Sequence, residues 1–183
     1  VADELDAAGV SPERVSTLAF DVSDIARWAQ AAAFIQSQYG RLDWAVVNTS
    51  AATTPAPAPS DLVHWSSTTS GQLEATIQSL RTIMPLMAKN SQGGAIVVTT
   101  SAAAIKAEPL SPNSGPGLLQ VMRAASREAA HSNVRINAIA PGGATTPMWN
   151  EIPWFQDLVR EMGNENAAFD KIARQPRALA RYA

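Results

Sequence analysis

The sequence predicts an α/β domain built on a doubly wound parallel sheet, on three observations. Short apolar runs alternate with longer amphipathic runs along the 183 residues. Three of the four predicted strands are continuous apolar runs, as in a parallel sheet covered on both faces. No internal repeat divides the chain, so residues 1–183 read as a single domain.

Each element has a local reason. Val1, Leu5 and Ala8 share one face of a first helix, which Gly9 stops. Val15 to Phe20 is short, apolar and rich in β-formers, and reads as a buried strand. Asp24 caps a helix through about Gln38, with Ile25, Trp28, Ala32, Phe34 and Ile35 as its apolar stripe, and Gly40 ends it. Trp44 to Asn48 is the second strand. Residues 49–70 are rich in Ser, Thr, Ala and Pro and read as loop, with at most a short helical turn near Leu62. At about twenty residues this is long for a connection inside a compact domain, which leaves a flexible linker or a functional loop. Gln72 to Lys89 is a long helix whose apolar face is Leu73, Ile77, Leu80, Met84 and Met87. After Gly93-Gly94 comes the third strand, Ala95 to Thr100. A Pro-rich loop leads to a helix over Gly117 to Ala130, then the fourth strand, Val134 to Ala140. Pro141-Gly142-Gly143 turns the chain, and helical pieces run from about Pro147 to Gly163 and from Ala167 to Arg174.

Composition excludes several classes of function. Apolar residues make up 46%, enough for a core, while charged residues reach only 16%, below the roughly 25% of average proteins. Much of the surface is therefore expected to be covered, by an oligomer or by further chain. Fourteen Lys and Arg against sixteen Asp and Glu give a net charge of −2, which excludes an electrostatic partner such as nucleic acid or an anionic membrane. The chain has no Cys, so disulfides, thiolate catalysis and Cys-ligated metal are out, and His64 and His131 alone make no multi-His metal site. No apolar run reaches 18 residues and no leader is visible. The expectation is a cytoplasmic protein without a metal. The chain begins inside a helical pattern, and Arg174 to Ala183 stops without a terminating signal. It is expected to be an internal segment of a longer protein.

Two turns point to ligand binding on physical grounds. A strand followed by Pro141-Gly142-Gly143 lets the backbone approach a ligand closely. It stands at the carboxyl end of its strand, where open α/β sheets bind ligands. The same residues also suit a plain strand-to-helix turn. Asp21 stands in the same position after its own strand, and equally suits a turn or cap for the next helix.

Five segments are then read together. They are Asp21-Val22-Ser23-Asp24; Leu42-Asp43-Trp44-Ala45-Val46-Val47-Asn48-Thr49-Ser50; Arg81 with Pro85-Leu86-Met87; Gly94-Ala95-Ile96-Val97-Val98-Thr99-Thr100-Ser101; and Arg135-Ile136-Asn137-Ala138-Ile139-Ala140-Pro141-Gly142-Gly143-Ala144-Thr145-Thr146-Pro147-Met148. In this order and spacing the chain resembles the short-chain dehydrogenase/reductase family over nearly its whole length. The resemblance implies a Rossmann-like sheet and an NAD- or NADP-dependent oxidoreductase acting on a small carbonyl or alcohol. It puts Asp21 and Val22 at the adenine ring and Asn48 on the second Asn of an Asn-Asn-Ala-Gly stretch, with Thr49 and Ser50 replacing Ala and Gly. Ser101 takes the catalytic Ser position. Pro141, Gly142 and Thr146 take the positions that hold the nicotinamide carboxamide. It also implies a homo-oligomer through helices 72–89 and 117–130, whose Ile83, Met87, Met122 and Ala125 read as more apolar surface than one sheet face can cover.

The chain departs from the family pattern twice. No glycine-rich phosphate loop occurs anywhere. That loop places backbone N–H groups on the pyrophosphate, so binding of NAD or NADP by this chain alone is expected to be weak or absent. The sheet is expected to be incomplete on its N-terminal side, because the family's strand order puts two strands between Val15–Phe20 and Trp44–Asn48. The catalytic Tyr and Lys are also missing. Their slots fall on Ser111 and Gly115, and the slot of the helix Asn falls on Gln72, while Tyr39, Tyr182, Lys89, Lys106 and Lys171 lie outside the motif. A Ser hydroxyl titrates far above a phenol near 10, and an acid/base should titrate near working pH. Lys106 and Glu108 after Ser101, and His64 and Trp65 on the long loop, are candidates for site roles, though residues in such places are more often solvated surface. Catalytic competence is therefore doubtful. The alternatives are a non-redox relative that binds nucleotide or acts as an oligomer partner, and a scaffold repurposed for isomerisation or cyclisation.

Overall fold

Local capping sets the first long helix. A computed structural model describes residues 2–49, 62–101, 116–141, 144–146, 149–150 and 152–173. After a short helix α1 (Ala2–Ala7), the Asp24 carboxylate accepts the N–H groups of Ala26 (2.9 Å) and Arg27 (3.3 Å) and starts α2 (Ile25–Tyr39). These are donors that a helix start leaves without an internal partner. Gly40, in the left-handed region at φ 70°, ends α2 and donates its N–H to the Gln36 carbonyl.

Then come β1 (Trp44–Val47), α3 (Leu62–Met87), β2 (Gly94–Thr99), α4 (Pro116–Ala130), β3 (Val134–Ile139), α5 (Pro153–Met162) and α6 (Glu165–Ala173). The strands form one parallel sheet in the order β1-β2-β3, with Val47 opposite Val98 and Val98 opposite Ala138. Each strand is joined to the next through a helix, as parallel pairing requires. Side chains alternate across the sheet. Val47, Ile96, Val98, Val134 and Ile136 are buried with Leu80, Ile83 and Met87 of α3 and Met122 and Ala129 of α4. Gly93 turns the chain into β2 at φ 68°, where a Cβ would lie 1.9 Å from the Asn133 carbonyl oxygen.

A second cluster lies in the last two helices. Phe155, Ala168, Phe169 and Ile172 are buried together, with Trp149, Ile152, Leu158 and Val159 against them. The Phe155 and Phe169 rings are 4.8 Å apart, and Trp149 lies 5.2 and 5.8 Å from them. Pro153 at the first turn sets the start of α5, and Gly163 at φ 83° ends it.

Several expectations are corrected. Val15 to Phe20 is not a strand, and Leu18 is 47% exposed. No described strand lies beside it to complete a ladder; it is held to α2 by Phe20 edge-on to Trp28, 5.2 Å between centroids, and by the Ser16 and Tyr39 hydroxyls, 2.7 Å apart. The sheet is covered on one face among the described residues, not two: Trp44 and Val46 on the other face are 81% and 72% exposed. Residues 62–70 are helix, not loop. Ser, Thr and Gly weaken a helix, but extending an existing helix gains a hydrogen bond per residue without a second nucleation. Of the helix expected from about Pro147 to Gly163, Pro153–Met162 is α-helix, while residues 147, 148 and 151 lie outside the described residues. The α2 stripe is shallow: Ala31 is buried, whereas Ile25 is exposed. Ile83, Met87 and Met122 are core residues, and Ala125 packs against the core, so these four give no surplus apolar surface. No helix among the described residues is long and apolar enough to cross a membrane.

Candidate functional site

Parallel pairing brings the carboxyl ends of all three strands to one edge. Asn48 and Thr49 follow β1, Thr100 and Ser101 follow β2, and Ala140 and Pro141 follow β3. Asn48, Ser101 and Pro141, far apart in the chain, therefore share the edge where open α/β sheets bind ligands. Asn48 and Pro141 are exposed, and Ser101 is half-buried. The Thr100 N–H donates to the Ile139 carbonyl at 2.8 Å, which keeps β2 and β3 paired up to Ser101. Thr146 is exposed, and its carbonyl accepts the Trp149 N–H at 3.2 Å, tying it to the aromatic cluster. Gly142 lies outside the described residues, as do Lys106, Glu108, Ser111 and Gly115. His64 and Trp65 stand in the first turns of α3, on a helix rather than the expected loop.

Asp21 and Val22 belong to the turn before α2 and to no strand. The Asp21 carboxylate accepts the Ser23 N–H at 2.9 Å and the Ser23 hydroxyl at 2.7 Å. Both bonds favour the ionised form, the backbone one most, and hold the carboxyl below the ordinary Asp value. Val22 offers its carbonyl to the Trp28 indole N–H at 2.8 Å. These bonds build the turn that leads into α2.

The edge also holds polar residues that the sequence reading did not single out as a group. Gln72 and Thr76 of α3 are buried, as is Thr100. The Gln72 carboxamide donates to the Thr49 carbonyl at 2.9 Å, and the Thr76 and Thr49 hydroxyls are 2.8 Å apart. The Thr100 hydroxyl is buried without a hydrogen-bond partner among the described residues. A signal was present: Gln72, Thr76 and Ser79 recur at helical spacing beside Leu73, Ile77 and Leu80, a polar stripe adjoining the apolar one.

The donor set fits one end of a dinucleotide and not its middle. Asn48, Ser101 and Pro141 supply an amide, a hydroxyl and a backbone carbonyl at an open strand edge. No glycine-rich turn stands ahead of α2 or α3 to receive a pyrophosphate.

Comparison with known proteins bears on family and fold. The sequence profile of the enoyl-(acyl carrier protein) reductase family matches residues 2–183. The 3-oxoacyl-[acyl-carrier-protein] reductase FabG of Thermotoga maritima is 26% identical over 145 residues, covering 78% of this chain and 58% of that protein. An oxidoreductase of the short-chain dehydrogenase/reductase family from Burkholderia thailandensis superposes with a TM-score of 0.73 at 24% identity, over 100% of this chain and 65% of its own. L-sorbose reductase from Gluconobacter frateurii, solved with NADPH and L-sorbose, superposes with a TM-score of 0.76 at 24% identity, over 99% of this chain and 68% of its own. Those two structures share the fold. The chain spans 58% of the length of the Thermotoga relative. The profile match over nearly every residue, on a parallel sheet with the strand-end residues at one edge, makes the chain a member of the short-chain dehydrogenase/reductase family.

Proposed function

We propose that the chain carries the nicotinamide-side half of the site of an NAD- or NADP-dependent oxidoreductase for a small carbonyl or alcohol. The observation behind this reading is the convergence of Asn48, Ser101 and Pro141 at the carboxyl edge of three contiguous parallel strands. The NADPH complex of the L-sorbose reductase that shares this fold supports it. When bound, the cofactor supplies or accepts hydride. Asn48, Pro141, Gly142 and Thr146 would hold its nicotinamide end, with Asp21 and Val22 toward the adenine. Ser101 would orient the substrate oxygen through its hydroxyl.

The chain's own residues leave proton transfer poorly served. The slot of the acid is Ser111, with Gly115 where a lysine would lower its pKa. The protein is therefore expected to oxidise NAD(P)H slowly against a panel of ketones and quinones. The pair Ser111→Tyr and Gly115→Lys is expected to gain activity, since a placed proton donor is worth roughly 10²–10⁴-fold. Brisk turnover unaffected by Ser101→Ala would overturn this assignment and direct mutagenesis to Lys106 and Glu108.

A second reading, a non-redox nucleotide-binding relative or oligomer partner, draws on the same missing groups and on the surface between α3 and α4. There Ile77, Met84, Pro85, Val121 and Ala124 line an open apolar groove. It would seat a second copy of the chain, and sedimentation at micromolar concentration would show a dimer or larger under this reading and a monomer against it.

A further inference from the structure

We infer that Gln72 and Thr76 are positioning residues that hold the ligand-facing end of β1. This inference rests on the proposed dinucleotide site for its functional meaning, but not for its geometry.

Donor counting fixes the direction of the bonds. The Thr76 hydroxyl donates to the Gln72 carbonyl one turn back, at 3.0 Å. A hydroxyl has one proton, so toward Thr49, 2.8 Å away, Thr76 is the acceptor and the Thr49 hydroxyl donates. The Gln72 carboxamide then donates to the Thr49 carbonyl at 2.9 Å. The result is a closed ring: Thr49 hydroxyl to Thr76 hydroxyl to Gln72 carbonyl, and Gln72 carboxamide back to Thr49. Thr76 is 0% and Gln72 6% exposed, and the two-bond relay from the Thr49 hydroxyl through the Thr76 hydroxyl to the Gln72 carbonyl is strengthened in a low dielectric.

The position of the ring gives it consequence. β1 has one neighbour, β2, among the described residues, and its ladder ends at Val47. Past that point α3 takes over. The Asn90 carboxamide, in the turn after α3, donates to the carbonyl of Leu42 just ahead of β1 at 2.7 Å, and Gln72 of α3 grips Thr49 just beyond it. Asn48 lies between a laddered Val47 and a ring-held Thr49, and is itself exposed. Its backbone is therefore fixed while its side chain is free for a ligand.

Thr100 supplies the internal control. The register that sets Val47 opposite Val98 brings Thr49 and Thr100 level, two residues further on. The Thr100 hydroxyl has no hydrogen-bond partner among the described residues and so stands outside the ring.

The test is backbone ¹⁵N relaxation at Asn48 and Thr49, with NADH and NADPH affinity measured on the same variants. In wild type, order parameters at both residues are expected to match those of β2, about 0.85 for rigid backbone. Thr76→Val, and Gln72→Glu, which replaces the amide donor with an acceptor, should lower them toward about 0.6 at Asn48 and Thr49 while leaving Ile96 and Val98 unchanged. Thr76→Ser should restore them, and Thr100→Val should leave them at the wild-type value. Dinucleotide affinity should fall about fivefold in Thr76→Val and Gln72→Glu and hold in Thr76→Ser. Unchanged order parameters in both ring-breaking variants, or an equal loss across β2, would overturn the inference. A wild type that binds neither dinucleotide would refute the proposed function, while the relaxation data would still decide the positioning role.

Discussion

Ile96 and Val98 in β2 are fully buried, whereas Leu18, in an apolar run of similar length, is 47% exposed. Both runs are rich in residues that favour strands. The difference is in their neighbours. β2 has β1 on one side, β3 on the other, and α3 and α4 over its covered face. Val15 to Phe20 has no described strand beside it and forms no ladder. Strand character in this chain is therefore supplied by the sheet, and β-propensity alone describes only a fit to a pleated, half-buried surface.

Substitutions can break or sharpen this contrast. The largest effect is expected at the entry to β2. Gly93→Ala would place a methyl 1.9 Å from the Asn133 carbonyl oxygen at a positive φ, and a loss of about 4 kcal/mol or more is expected in urea unfolding. Ile96→Ala, inside β2, should cost about 2–5 kcal/mol in the same measurement, from lost transfer energy and a cavity. Removing the cap of α2 by Asp24→Ala should cost about 1 kcal/mol. Leu18→Ala should stay within about 0.5 kcal/mol. A Leu18 loss as large as that at Ile96 would show Val15–Phe20 to be packed like a strand.

The smallest effect is one of pH. Asp21 has a depressed folded pKa, so its contribution is present above the ordinary Asp value. It is lost as pH falls through the lowered value. The side chain is fully exposed, so a carbon-detected NMR titration, rather than stability, is the suitable readout. The midpoint should lie below that of an unstructured Asp, and Ser23→Ala should raise it. An Asp21 midpoint at the unstructured value would contradict the turn.

Much of the fold was legible because its punctuation is chemical. Asp24 and Gly40 bracket α2, and Gly93-Gly94 separates α3 from β2. Residues 62–70 were misread because Ser and Thr side chains compete for the backbone in isolated peptides, and neighbouring helix overrides that preference. At the site, Asn48, Ser101 and Pro141 were legible as strand ends, since parallel topology alone aligns them. Thr76 and Thr100 were not. A threonine in a helix or strand shows its bonding only once its facing residues are known. Asp21 suited a turn and a ligand equally in sequence, and its two bonds to Ser23 are local.

The central claim is that the carboxyl edge of β1, β2 and β3 is where a dinucleotide binds. The most direct test is a ¹H–¹⁵N NMR titration of the chain with NADH and with NADPH. The account expects shifts concentrated at Asn48, Thr49, Ser101, Ala140 and Thr146. Without a glycine-rich cradle the dissociation constant should be nearer millimolar than micromolar, about 4 kcal/mol of binding rather than 8. Shifts confined to α5 and α6, or none at several times that concentration, would contradict it.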